Sequence, residues 1–383
     1  MTAGDAGLQP TWCVNPFLQA HQLMDAQLTP CCFYQGESLG KTINEYINSP
    51  KLRQLKTELL SGVQSAGCKK CWSIESMGLQ SKRHCDNKTY QNRFQLLYHK
   101  KDLLEPNPDF AEYYVRLGNN CNLRCAICND VLSTGWASEN KKFGLPYRKK
   151  NNIKRDDPIW QHMIDHARHI KLIEFVGGEP LFINPPLQIE FLQKLIDMGV
   201  AKNVKLRYHT NGTKFNADIA SLWQYFKEVT VWISIDGLEQ SFEYQRYPAK
   251  WSMLTTNIKR FVDLASRYPN IKVCTNCTVS VLNILELDSM INWFNAQGIH
   301  HHLNVLESPV EYGLFNQEIE LKQKILDRLS PITNPEIQQL VNNLLLAETK
   351  TQTQNLKSKL ISMDQKRLLK YSECLLLADL LDF

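Results

Sequence analysis

The stretch Tyr113-Tyr-Val-Arg-Leu117-Gly-Asn-Asn-Cys121-Asn-Leu-Arg-Cys125-Ala-Ile-Cys128 decides how the chain is read. Tyr113–Leu117 is rich in aromatic and β-branched residues and predicts a strand. Three cysteines follow it directly. A loop of that length can fold back so that the three sulfurs face one centre. Thiolate is the soft ligand that iron–sulfur clusters and zinc prefer. No fourth local ligand stands beside the three, so a closed tetrahedral zinc site is incomplete here. A four-iron cluster held by three thiolates keeps one iron open for chemistry.

Working outward, short apolar runs alternate with amphipathic helical patterns. Lys171–Val176 predicts a strand ending at Gly177-Gly178-Glu179-Pro180, after which Pro185 and Pro186 open a helix that Gly199 closes. Val204–His209 predicts a strand stopping at Thr210-Asn211-Gly212, and Val229–Ile235 one stopping at Asp236-Gly237. Asn257–Leu264 and Asp288–Phe294 read as helices, Ile271–Val281 and His302–Leu306 as extended. Six βα-type repeats predict an α/β fold with a parallel sheet, either an incomplete barrel or a doubly wound sheet. In such folds ligands bind where the strands end, so the cysteine loop, GGEP, Asn211 and the Ser234–Asp236 segment are expected on one rim.

The rest of the chain frames this unit. With 383 residues, 43% of them hydrophobic, it is long enough for two domains or one barrel with additions. The net charge of +5 is small and does not mark a nucleic-acid or membrane-surface protein. The opening MTAGDAGLQPTW lacks a signal-peptide pattern and no apolar run is long enough to span a bilayer, so a cytoplasmic location is expected. The basic stretch Lys141–Arg155 reads as a solvated loop or helix face, with an anionic-substrate or nucleic-acid surface as the alternative. Twelve cysteines are then metal ligands or thiols and not a disulfide scaffold. Besides the triplet, Cys68-Lys-Lys-Cys71 is a metal knuckle with Cys13 and Cys31-Cys32 upstream. Four thiolates from this group suit zinc or a fully ligated [4Fe–4S] cluster. Cys274 and Cys277 fall in a strand, where positions three apart point to opposite faces, and read as buried structural thiols, as does Cys374. Leu39–Gly62 predicts helix broken at Pro50, and Glu105-Pro-Asn-Pro-Asp109 a linker. His209 reads as structural.

The four-then-three spacing of Cys121, Cys125 and Cys128, followed by Gly177-Gly178-Glu179-Pro180, resembles the radical S-adenosylmethionine superfamily. The resemblance implies a partial (β/α)6 barrel of the TIM type. It implies a [4Fe–4S] cluster on the three cysteines whose open iron binds S-adenosylmethionine, which is cleaved reductively to a 5′-deoxyadenosyl radical. It also places Ile127, Gly177, Gly178, Glu179, Asn211, Ser234 and Asp236 against S-adenosylmethionine.

The run Cys13-x-Asn-Pro16, Thr29-Pro-Cys31-Cys32, Gly36, Asn48-Ser-Pro50, Gly62, Cys68-x-x-Cys71-Trp72, Glu75, Gly78 and Ser81-x-Arg83 is similar to the SPASM or twitch auxiliary-cluster module. Here it precedes the barrel instead of following it, and Ala26-Gln-Leu-Thr stands before Pro30 where that module often has a glycine. The resemblance adds a second, auxiliary [4Fe–4S] cluster on Cys13, Cys31 or Cys32, Cys68 and Cys71, and an electron donor such as flavodoxin or ferredoxin. It favours oxidative modification of a peptide or protein. A small-molecule or nucleotide substrate is the alternative, and a non-catalytic zinc-binding protein a third reading. Three parts follow: a cluster module over 1–108, the barrel over 109–312 and a helical region over 313–383.

Overall fold

In the computed structural model, residues 9–76, 80–98, 103–346 and 352–381 are described, 91–98 and 346 as backbone only. Gly78 of the cysteine-rich run and the first eight residues lie outside them. Among the described residues eight strands form one sheet in the order β2-β1-β3-β4-β5-β6-β7-β8. They are β1 Gln19–Gln22, β2 Leu28–Thr29, β3 Glu112–Arg116, β4 Leu172–Val176, β5 Lys205–Thr210, β6 Glu228–Ser234, β7 Ile271–Val279 and β8 His300–Val305. From β1 through β3 to β8 every neighbouring pair is parallel; β1 and β2 alone are antiparallel. The fold is thus α/β, with six parallel strands from Glu112 onward where the sequence predicts six.

The first segment also enters this sheet, with Ala20 opposite Tyr113 in β1 and β3. Gln-Ala-His-Gln has no β-branched or aromatic residue, so no propensity announces it as a strand. Its four residues are nonetheless all buried, and pairing with β3 satisfies their backbone.

Along β3, β5 and β6 burial alternates strictly, as a parallel sheet covered by helices on one face requires. The covered face holds Val115, Phe175, Tyr208 and Val231, each fully buried. Burying a side chain of this size contributes roughly 1.5–3 kcal/mol. The helices that cover it carry the matching stripe. In Trp251–Arg267, Leu254, Ile258, Phe261 and Leu264 recur at spacings of three and four and are buried. The helix Pro185–Asp197 begins at the predicted proline pair, and Gly199, at φ 68°, ends it. Near the N-terminus Pro50 separates Ile43–Ile47 from Pro50–Leu60.

The opposite face of the sheet is polar. Glu112, Glu174 and Arg207 line a cavity of about 200 Å3 together with Gln19, Cys32 and Lys82. Burial raises the Glu174 carboxyl, but hydrogen bonds from His209 and Arg207, at 2.9 and 2.8 Å, outweigh it and hold the group at about 2. Burial pushes Glu112 up to about 7, and its carboxylate accepts from the Gln19 amide. His209 therefore stands 2.9 Å from a carboxylate on the neighbouring strand, a place within the sheet. The basic stretch Lys141–Lys150 is exposed throughout.

After the last strand, Ile319–Leu329, Pro335–Leu346 and Thr353–Arg367 are helices. Their apolar stripes, including Ile325, Leu340 and Leu360, join the same core as the sheet. Among the described residues no helix is long and apolar enough to cross a membrane.

Candidate functional site on the carboxyl rim of the sheet

The loops after β3, β4, β5 and β6 meet at one end of the sheet, and backbone hydrogen bonds tie the first two together. Gly178 N–H donates to Gly118 O at 2.8 Å, and Glu179 N–H to Asn120 O at 2.9 Å. This close approach explains the glycine pair. A Cβ on Gly178 would stand 2.4 Å from Asn120 O, and one on Gly177 2.5 Å from Gly118 O, with Gly177 also at φ 115°.

Glu179 is fully buried. Its Oε1 accepts from Leu181 N–H at 3.0 Å and Thr210 Oγ1 at 2.7 Å, and its Oε2 from Asn211 N–H at 2.7 Å. The carboxylate therefore joins the β4 and β5 loops. Burial pushes it up to about 7 despite these three donors. A carboxylate has about four acceptor positions, so one is left over. Asn211 extends the connection to the cysteine loop: its Nδ2 donates to Asn122 Oδ1 at 3.1 Å and lies 3.7 Å from Cys121 Sγ.

Loop 121–128 is held from the other side by the segment after β6. Arg124 N–H donates to Tyr247 O and Ala126 N–H to Gln245 O, both at 2.7 Å. Cys121, Cys125 and Cys128 all carry free thiols. Burial pushes Cys121 up to about 12, with the Cys125 sulfur adding to it, and Cys128 likewise. Cys125 is raised by burial, while the nearby Arg246 guanidinium pulls against the rise. Three hydrogen donors face these sulfurs: Leu123 N–H at 3.5 Å and Asn211 Nδ2 at 3.7 Å from Cys121, and Arg246 Nη1 at 4.0 Å from Cys125. Donors aimed at sulfur favour its thiolate form and its use as a ligand. Among the described residues, no three Cys, His, Asp or Glu side chains are grouped as ligands of a single metal ion. Ile127 is partly buried against the main core.

Arg246 is the residue that sequence reasoning missed. It is buried, with Nη2 2.5 Å from Asp236 Oδ2. Asp236 Oδ1 accepts from Thr278 N–H at 2.8 Å, so Asp236 fixes both the guanidinium and the start of the β7 loop. The signal available was its place beside Tyr247-Pro248, close after the predicted Asp236-Gly237 turn. Ser234 ends β6 opposite Asn276 of β7.

The C-terminal region reaches the same rim. Arg367 pairs with Glu139 at 3.1 Å, both nearly inaccessible, and its guanidinium lies 4.7 Å from the Trp136 ring and 5.1 Å from the Tyr247 ring. Arg124 Nε is 3.4 Å from the same Glu139 carboxylate. Cys128 and Trp136 open onto a cavity of about 810 Å3 whose far wall is the helix Thr353–Arg367.

Away from the rim, the structure separates the first-quarter cysteines. Cys13 is raised by burial and by the Cys31, Cys68 and Cys71 sulfurs, so these four share one neighbourhood. It is closed by Leu55, Leu59 and Trp72. Cys32 turns the other way, into the cavity with Lys82, Glu112 and Glu174. Cys85 is exposed on its helix. Cys274 and Cys277 are buried within β7, as their strand spacing predicts.

The chain therefore presents a parallel α/β sheet whose carboxyl rim carries a three-thiol loop. No protein-family profile and no curated protein matches it. Among solved structures it is similar to "Native anSMEcpe with bound AdoMet", at 18% identity and TM-score 0.41, over 57% of this chain and 59% of that one. It is also similar to Streptococcus suis SuiB bound to S-adenosylmethionine, at 16% identity and TM-score 0.41, over 74% of this chain and 58% of that one. A third is SuiB bound to precursor peptide SuiA, at 16% identity and TM-score 0.41, over 74% and 63%. The chain thus spans about three-fifths of the length of these proteins.

Proposed function

We propose that the chain is a radical S-adenosylmethionine enzyme acting on a peptide or protein. The observation that carries this is the joining of three loops at one rim: the thiol triplet, GGEP and the Asn211 loop share hydrogen bonds around half-buried cysteines. The donor set fits a [4Fe–4S] cluster, because three soft sulfur ligands stand on one loop, with N–H donors facing Cys121 and a buried guanidinium facing Cys125. When bound, the cluster and S-adenosylmethionine supply an electron and a 5′-deoxyadenosyl radical that removes a substrate hydrogen.

The chain's own residues provide the rest. Cys121, Cys125 and Cys128 hold the cluster. Gly177 and Gly178 keep the backbone low enough for the methionine moiety, and the remaining acceptor position of Glu179 takes its ammonium. Asn211, Ser234, Asp236 and Ile127 complete that surface. A substrate filling the cavity beside Cys128 would displace water from the rim, which protects a reactive carbon radical. Cys13, Cys31, Cys68 and Cys71 hold an auxiliary cluster, with Cys32 outside it. A low-potential flavodoxin or ferredoxin is the class of donor this chemistry needs, and the cytoplasm is where one is available.

Anaerobic reconstitution tests the reading. About eight irons per chain are expected for two four-iron clusters, and about four if only one forms. Incubation with S-adenosylmethionine and a strong reductant is expected to release 5′-deoxyadenosine. Cys125→Ala is expected to abolish that release and to keep the auxiliary iron. Bound zinc without iron, or unchanged cleavage by Cys125→Ala, refutes the assignment.

A further inference from the structure

The region after β8 is not explained by the barrel, yet it walls a cavity of about 810 Å3 that opens beside Cys128. On the helix Thr353–Arg367 two stripes run side by side. Leu356, Leu360, Met363 and Arg367 are buried and fasten it to the core. The neighbouring stripe, Gln352, Asn355, Ser358, Lys359 and Ser362, faces the cavity. Side-chain amides and hydroxyls offer both a donor and an acceptor. Asn355 Nδ2 donates to Gln352 Oε1 at 2.9 Å and Ser358 Oγ to Gln354 O at 3.0 Å, so what the line offers a ligand of alternating N–H and C=O is the Gln352 amide N–H, the Asn355 and Ser358 oxygens and the Ser362 hydroxyl.

The helix is held rigidly to the rim. Tyr244 OH donates to Asp364 Oδ1 at 2.8 Å, and Arg367 is clamped by Glu139 beside the cysteine loop. A binding wall fixed in this way loses little order on binding. From Gln352 to Lys366 the stripe runs about 21 Å at 1.5 Å per residue. An extended peptide at about 3.3 Å per residue would lay about six residues along it.

We propose that this groove is the peptide-binding site, with the C-terminal helix reading the backbone of an extended segment of about six residues and leading it to the Cys128 side of the rim. The inference rests on the reading above for its reaction, but binding can be measured without it. The Lys359 charge is balanced by Glu311 at 3.3 Å, so the groove carries no net charge for an acidic side chain, and recognition falls on the remaining amide and hydroxyl positions.

The test uses the full chain and an array of capped, randomised hexapeptides. A subset is expected to bind, and hydrogen exchange with the best binder is expected to slow at 352–366. Ser362→Trp and Ser358→Trp, which fill the groove, are expected to weaken that peptide at least tenfold while thermal unfolding and iron content stay as in the parent. Ile361→Trp, on the exposed side of the same helix, is expected to bind within twofold of the parent. Absence of any binding peptide, equal binding by Ser362→Trp, or retention of hexauridylate in place of peptide each overturns the proposal. Iron content and 5′-deoxyadenosine release in the parent report separately on the enzyme reading, so the two can fail independently.

Discussion

Glu139→Gln isolates what fastens the C-terminal helix to the cysteine loop. Glu139 and Arg367 have side-chain exposures of 6% and 1%, and the carboxylate accepts from Arg367 Nη2 at 3.1 Å and Nε at 3.2 Å. Glutamine keeps the volume and removes the charge, which strands a guanidinium out of water. Breaking one side of a buried pair costs about 3–5 kcal/mol. Arg124 adds less than Arg367: its Nε beside Glu139 is inaccessible, but the side chain is 25% exposed and can turn toward water. The Trp136 and Tyr247 rings stay over Arg367 and retain about 0.5–1 kcal/mol each. The expected loss is therefore at the low end, about 3 kcal/mol, read as a shift in urea midpoint at constant slope. The double variant Glu139→Gln/Arg367→Met is expected to recover at least half of it, since no buried charge remains. A loss under about 1 kcal/mol, or a double variant equal to the sum of the singles, refutes the claim that this pair is a buried latch.

Gly178→Ala sets a Cβ 2.4 Å from Asn120 O, so the two loops must part; overpacking of this kind costs about 1–3 kcal/mol, and iron bound at the triplet after reconstitution is expected to fall while auxiliary iron stays. Cys31→Ala is expected to lose the auxiliary iron and Cys32→Ala to keep it, because only Cys31 neighbours Cys13 and Cys68; equal iron in the two variants contradicts that division. Glu112, raised by burial to about 7 from 4.5, keeps its proton in the folded state after the unfolded chain has lost it. Its contribution is therefore greatest below pH 4.5 and is lost as pH rises to 7, so Glu112→Gln is expected to gain about 2–3 kcal/mol relative to the parent between pH 5 and pH 8. Chemical denaturation at the two pH values checks this, and a gap that stays constant or narrows tells against it.

Sequence pattern carried the barrel strands because each is apolar on one face and ends at a glycine-bearing turn. Leu172–Val176, Lys205–Thr210 and Glu228–Ser234 lie within a residue or so of their expected limits. It did not carry β1, whose Gln-Ala-His-Gln becomes a strand only because β3 offers a parallel edge. The same contrast holds at the rim. Cys121, Cys125, Cys128 and the GGEP turn are legible because their residue types allow few other uses. Arg246, Glu139 and Arg367 are not, because a charged residue in a helix or just past its end reads as solvated until the fold shows that it is buried. Choosing between Cys31 and Cys32 likewise needed three dimensions: adjacent residues point apart, and only the packing says which side holds Cys13.

These unannounced charges share one arrangement. Arg246 stands between Asp236 and Cys125, and Arg367 between Glu139 and the aromatic rings over the cysteine loop. Arg246 is held by a carboxylate ten residues before it, and Arg367 by one 228 residues away. Bringing three thiolates together is costly in a buried loop, as the raised Cys121 and Cys128 thiols show. Arg246 and Arg367 work against that cost at Cys125, where burial and the Asp236 carboxylate still leave the thiol raised. The segments that supply them, residues 246 and 367, therefore belong to the site electrostatically as much as the cysteines do. A shortened chain ending before Thr353 removes one of these charges together with the groove wall, and is expected to take up less iron at the triplet than the full chain while its auxiliary iron is unchanged.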